Sequence, residues 1–106
     1  MPKFLFQASY NAEGAKGVVQ SGGSARRAAV EQLMKELGGK VEAFYFAFGD
    51  VDAFVIADVP GNAEAVATAL AANSSGLMQV KTTVLLTPEE VDAATKRAAS
   101  FRAPGR

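Results

Sequence analysis

The stretch that most constrains the fold of this chain is residues 40–59, KVEAFYFAFGDVDAFVIADV. On both sides of its centre the side chains alternate with a period of two, which is typical of β-strands. The centre reads FGDVD, residues 48–52, and both glycine and aspartate suit the turn of a hairpin. The stretch therefore predicts a β-hairpin in the middle of the chain.

The segments on either side of the hairpin predict further strands and helices. Residues 3–9 and 77–86 alternate as a first and a last strand. Residues 25–37 carry an apolar stripe at helical spacing, and residues 63–73 form an alanine-rich helix. A third helix is expected to begin after Thr87, where TPEE is a capping box with proline at the first helical position. Three other residues are predicted to be helix N-caps: Asn11, which would open a short helical turn ending near residue 19, Ser24 and Asn62.

This order is β-α-β-β-α-β with an extra C-terminal helix, which predicts the α+β class and a ferredoxin-like antiparallel sheet. Helices would then cover one face of the sheet, yet both faces hold Phe, Val, Ile or Leu side chains. An open apolar face of that size usually marks an interface. We therefore expect homo-oligomerisation through the open face, as in a dimeric α/β barrel, with a single domain over residues 1–100 and a flexible tail over residues 101–106.

The composition argues against several functional classes. Eleven basic and eleven acidic residues leave no positive surplus for binding nucleic acid or an acidic membrane surface. No apolar run approaches the roughly 20 residues of a membrane span, so a cytoplasmic location is expected. The chain has no cysteine and no histidine, which removes the commonest metal ligand, the thiolate nucleophile and the usual base of a catalytic triad. Neither a metal site nor a cofactor is predicted.

A glycine- and serine-rich segment is the first candidate binding site. It comprises Ser21, Gly22, Gly23 and Ser24, followed by Arg26 and Arg27. A flexible loop that leads into a helix N-terminus presents free N–H groups to an anion, and arginines add bidentate donors. The alternative is an ordinary loop and N-cap with surface arginines.

A looser set of polar residues is the second candidate: Tyr10, Tyr45, Lys81 and Thr83. They are predicted to line a ligand pocket between the sheet and the helices. Alternatively, Lys81 pairs with Glu42, with Asp58 or with a partner subunit.

The hairpin turn is the third candidate, through Gly49, Asp50 and Asp52. The two carboxylates would bind a hard cation or act as acid and base. The alternative is simple turn chemistry.

Four segments of the chain resemble the GYD-domain family, and together they extend over nearly its whole length: KFLFQASYNAEGAKG, GGSARRAAVEQL, GGKVEAFYFAFGDVD and TTVLLTPEEVD. The family is named for Gly-Tyr-Asp. Here Gly49 is followed by Asp50, Val51 and Asp52, so the tyrosine of the motif is missing. The resemblance implies a ferredoxin-like, oligomeric α/β protein, and it does not bring a biochemical activity.

A non-enzymatic homo-oligomer that binds a small metabolite is the expected function, with an anionic ligand favoured by the arginines. A cofactor-free enzyme is the first alternative, because related dimeric α/β barrels include monooxygenases, isomerases and decarboxylases. The second is a purely structural assembly protein.

Overall fold

The computed structural model describes residues 1–98 and 101–105. In that part of the chain it places four strands and four helices: β1 (Lys3–Tyr10), α1 (Ala12–Ser21), α2 (Gly23–Glu36), β2 (Lys40–Phe46), β3 (Ala53–Asp58), α3 (Asn62–Ser74), β4 (Met78–Leu85) and α4 (Pro88–Arg97). The strands form one sheet in the order β2-β3-β1-β4, and every neighbouring pair is antiparallel. This confirms the predicted α+β class and the ferredoxin-like arrangement.

The core lies on the side of the sheet that α2 and α3 cover. Register brings Phe6 of β1 opposite Val55 of β3 on one side and opposite Thr82 of β4 on the other, so that these side chains share a face. Met34 of α2 is fully buried against this face, and Ala65 of α3 belongs to the same cluster. The two helices therefore pack on Phe-, Val- and Ala-bearing positions of all the central strands.

The other face of the sheet carries a mixture of apolar and polar side chains. Leu5, Phe54 and Ile56 are half-buried there, and the register places Lys81 and Thr83 on the same face. None of the buried core residues lies on this face in the described part of the chain.

The junction between α1 and α2 differs from the predicted loop. Helix α1 continues to Ser21, and α2 begins at Gly23, so that Gly22 alone separates them, with a φ of 82°. A positive φ of this size suits glycine because it has no Cβ. The expectation of a flexible loop over residues 21–24 was therefore wrong, and Ser24 lies inside α2 rather than at its N-cap.

Of the other predicted caps, two are confirmed and one is wrong. The Asn11 side chain accepts a hydrogen bond from the Gly14 N–H at 2.9 Å, which confirms it as the N-cap of α1. Thr87 and Glu90 form the predicted capping box of α4, with hydrogen bonds of 3.0 and 3.1 Å. Asn62, in contrast, is the first residue of α3, and Gly61 occupies its N-cap.

Helix α4 lies apart from the rest of the molecule. Each of its ten residues is exposed, including the apolar Val91. The molecule is correspondingly elongated, at 57 × 32 × 22 Å. Residues 101–105 form neither helix nor strand, and the end of the predicted domain at residues 99–100 lies outside the described residues, as does residue 106 of the tail. No helix in the described residues is long and apolar enough to cross a membrane.

Candidate functional site

A cavity of about 250 Å³ lies between the sheet and helices α2 and α3. Phe6, Val55 and Val80 of the sheet line it, together with Leu33 of α2 and Ala72 of α3. Its lining is mostly hydrocarbon, as is usual for sites that bind small organic molecules. The cavity is therefore a candidate site for a small organic molecule.

The cavity exists because α3 presents small side chains to the sheet. The buried side of this helix carries Ala65 and Thr68, whereas the larger Val66 and Leu70 are 54% and 62% exposed. Alanine and threonine leave space where leucine would fill it. The hydroxyl of Thr68 donates to the Glu64 carbonyl at 3.0 Å, which satisfies this buried polar group inside its own helix.

Two polar side chains of the lining have no partner in the described part of the chain. Arg26, in the first turn of α2, is half-buried and takes part in no ion pair or side-chain hydrogen bond there. The hydroxyl of Tyr10, at the end of β1, likewise has no partner among those residues. Arg26 is also the only charged residue among the described lining residues. The cavity thus combines apolar walls with one positive charge and one free hydroxyl.

The residues of the first predicted site lie in different parts of the structure. Arg26 lines the cavity, but Gly23, Ser24 and Arg27 line a separate, shallow groove beside Phe46. A Cβ at position 23 would lie 2.9 Å from the Phe46 ring, so the start of α2 packs directly on that aromatic side chain.

Ser21 and Gly22 are exposed at the junction of α1 and α2. Neither lines the cavity or the groove beside Phe46.

The second predicted set is divided by the sheet itself. Tyr10 lies on the helix-covered side, in register with Met78 of β4. Tyr45, Lys81 and Thr83 lie on the open face. These three residues therefore do not line the cavity, and the predicted set of four is not one site.

The suggested pairing of Lys81 with Glu42 or Asp58 is not formed, and both carboxylates pair with Lys3 instead. The register places Lys81 opposite Gln7, four residues along β1 from Lys3. Lys3 Nζ lies 2.8 Å from Asp58 Oδ1 and 2.9 Å from Glu42 Oε1. Hydrogen bonds to Asp58 and then to Glu42 raise the pKa of Lys3 above its ordinary value. This cluster lies on the open face, where the lysine balances one of the two carboxylate charges.

The turn aspartates are held by the backbone. The Asp52 carboxylate accepts a hydrogen bond from the Tyr10 N–H at 2.7 Å, and the Asp52 N–H donates to the Ala8 carbonyl at 2.8 Å. The Asp50 carbonyl accepts from the Ser9 hydroxyl at 3.1 Å, and the Gly49 N–H donates to the Val51 carbonyl at 3.2 Å.

Turn chemistry therefore accounts for the contacts of Gly49, Asp50 and Asp52. Within residues 1–98 and 101–105, no group of three or more His, Cys, Asp or Glu side chains is placed to hold a metal ion.

Sequence reasoning missed most of the cavity, including Val30 and Leu33 of α2 and Ala71 and Ala72 of α3. One available signal was the alanine content of residues 63–73. A helix of small side chains can either pack close to the sheet or leave a gap between itself and the sheet. The pattern alone did not distinguish these two outcomes.

The chain was compared with protein families, curated proteins and solved structures. The model of the GYD domain matches residues 4–95, which is most of the 106-residue chain. No significant match was found among curated proteins or among solved structures. The match extends from β1 into α4. The chain belongs to the GYD-domain family.

Proposed function

We propose that this protein is a non-catalytic homo-oligomer that binds a small metabolite in the cavity between the sheet and helices α2 and α3. The observation that carries the proposal is the cavity itself, about 250 Å³ of mainly apolar space with a single positive charge in its described lining. A concave, apolar site with few polar groups is the usual form of a small-molecule site.

The lining offers little for catalysis. Among its described residues there is no carboxylate, lysine, histidine or cysteine, so the hydroxyls of Tyr10, Thr68 and Ser75 have no such side chain in the lining to act as their general base. Tyr45 and Lys81, two of the polar residues predicted to line a ligand pocket, lie on the opposite face of the sheet. Binding is therefore better supported than turnover.

The open face of the sheet supports the homo-oligomeric part of the proposal. It presents Leu5, Phe54 and Ile56 beside the Lys3 ion pairs, and a second copy would cover these apolar side chains. Helix α4 adds a second argument. A ten-residue helix with no buried side chain is marginally stable in water, so a neighbouring copy would provide a surface for it. The cytoplasmic location stays a prediction.

Native mass spectrometry of freshly purified protein, repeated after denaturation, tests both parts. We expect a multimer that carries a discrete additional mass and releases it on unfolding. A bare monomer would contradict the proposal.

A matched pair of variants on α3 then locates the ligand. Ala72→Leu places a larger side chain in the cavity, whereas Ala63→Leu makes the same change at an exposed position. We expect the additional mass to be lost from Ala72→Leu and retained by Ala63→Leu. Retention by both variants would place the ligand elsewhere.

A further inference from the structure

We infer that the cavity takes an apolar monocarboxylate: a ring or short hydrocarbon chain with one carboxylate group, which pairs with Arg26. This inference rests on the proposed function, since it names the chemical class of ligand for the same cavity.

Arg26 supplies the only charge in the described lining of the cavity. Arg26 is half-buried beside apolar walls and has no acidic partner in the described part of the chain. Its neighbours one turn away on α2 are Gly22, Gly23, Ala29 and Val30, none of which carries a charge. The first turn of α2 contains no acidic residue. A charge that is partly removed from water is stabilised by an opposite charge, and residues 1–98 and 101–105 do not supply one here.

Arg27 provides the contrast within the same helix. It is exposed and lies outside the cavity, and Glu31, which follows it by four residues, forms no ion pair with it in the described part of the chain. Arg27 is therefore solvated, whereas Arg26 is partly removed from water. Of the two arginines, Arg26 is the one that an anion in the cavity would stabilise.

The number of hydrogen-bond donors in the cavity lining distinguishes a carboxylate ligand from a phosphate ligand. A guanidinium binds a carboxylate through two parallel N–H···O bonds, so that one arginine satisfies one carboxylate. A phosphate monoester carries nearly two charges and more acceptor oxygens. Among the polar side chains of the described lining, those of Thr68 and Ser75 are hydrogen-bonded, and only those of Arg26 and Tyr10 have no partner in the described part of the chain. This supply of donors matches a carboxylate better than a phosphate.

The volume of the cavity indicates the size of ligand that it can hold. An apolar cavity of ~150 Å³ holds one benzene ring. The larger volume here, about 250 Å³, fits a ring of that size with a short side chain, or a straight chain of similar bulk. Phe6, Phe44 and Leu33 supply apolar and aromatic contacts for such a group.

Isothermal titration calorimetry of the purified oligomer tests this inference with 3-phenylpropanoate and octanoate, each against its neutral amide, at pH 7.5. The amides keep the size and shape of the acids and remove the charge. We expect each acid to bind at least tenfold more tightly than its amide. The cavity-filling Ala72→Leu variant should bind neither acid.

Two substitutions on α2 test whether Arg26 is responsible for the tighter binding of acids than of amides. Arg26→Gln should reduce the acid-to-amide ratio to within about twofold, because glutamine keeps helix propensity and loses the charge. Arg27→Gln should keep the wild-type ratio. Circular dichroism and the oligomeric mass show that each variant is folded before it is titrated.

Several outcomes would overturn the inference. Amides that bind as tightly as the acids would leave the cavity as a binding site without charge selection, so the proposed function would stand. Equal effects of Arg26→Gln and Arg27→Gln would place the anion outside the cavity, as would acid binding that survives in Ala72→Leu. If neither acids nor amides bind and the purified protein releases no ligand on denaturation, the inference and the proposed function both fail.

Discussion

The backbone N–H of Tyr10 donates a hydrogen bond of 2.7 Å to the carboxylate of Asp52, which ties the hairpin turn to the end of β1. The Asp52 N–H returns to the same strand through the Ala8 carbonyl, at 2.8 Å. Since Tyr10 and Ala8 both line the cavity, this pair of bonds positions part of the cavity wall. Asp52 therefore supports the cavity wall through hydrogen bonds to the backbone of β1, although it does not line the cavity itself.

Asp52→Ala is expected to lower the free energy of unfolding by about 1–3 kcal/mol, because it removes a charged acceptor from a part-buried N–H. Urea unfolding followed by circular dichroism measures the change. Asp50→Ala is the control, since Asp50 is exposed and only its carbonyl takes part in the bonds described for the turn. We expect the control to change stability by less than about 0.5 kcal/mol. Equal losses in the two variants would contradict a specific role for Asp52.

Two glycines of α1 make a second matched pair. A Cβ at position 14 would overlap the Leu77 carbonyl, whereas a Cβ at position 17 would meet no atom within 4 Å. Gly14→Ala should therefore destabilise the fold by roughly 1–3 kcal/mol through overpacking. Gly17→Ala should stabilise it by up to about 1 kcal/mol, because alanine is the better helix former. Melting temperatures that move in the same direction in both variants would refute this assignment.

Local signals explain why much of the fold was predictable from the sequence. Alternation identified the hairpin and the first and last strands of the chain, and the TPEE box identified the start of α4. Two features were not predicted. A β-bulge between Val41 and Ala43 shifts the alternation of β2, and a single glycine at position 22 is enough to separate two helices. The bulge is defined by the pairing of β2 with β3, which the local pattern of one strand does not contain.

The candidate site was less predictable because its walls come from several distant segments. Arg26 and Tyr10 were among the predicted site residues, and the fold brings both to the cavity. Tyr45, Lys81 and Thr83 were grouped with Tyr10 although the sheet separates them. Which face each strand residue takes depends on register, which is settled only when all four strands are paired.

The pH dependence of stability should reflect the raised pKa of Lys3, which is caused mainly by its hydrogen bonds to Asp58 and Glu42. A lysine whose pKa is higher in the folded state than in the unfolded state stabilises the fold below the unfolded value, and this contribution is lost as pH rises through the folded value. The stability difference between wild type and Lys3→Gln should thus be constant from pH 7 to 9. It should shrink above roughly pH 10.4, the ordinary lysine pKa. Urea titrations across this range provide the measurement, and a difference that disappears near neutral pH would contradict the prediction.

The open face of the sheet is expected to mediate self-association. Ile56→Glu places a charge among half-buried apolar side chains, and burying that charge between two copies would be costly. Sedimentation velocity should show at least a hundredfold weaker association than in wild type. Val19→Glu makes the same kind of change on α1, at a position that is 86% exposed, and should leave the assembly intact. An unchanged sedimentation coefficient for Ile56→Glu would place the interface elsewhere.

The pairing of the first strand with the last has a consequence for synthesis of the protein. Ala8 is in register with Val80, and both line the cavity. A nascent chain that has emerged as far as the hairpin already contains Arg26 but still lacks α3 and β4. Contacts between segments far apart in the sequence also form slowly, because a long loop must close first. The cavity is therefore completed only after β4 has emerged and paired, and any molecule that needs all its walls will not bind a nascent chain shorter than that.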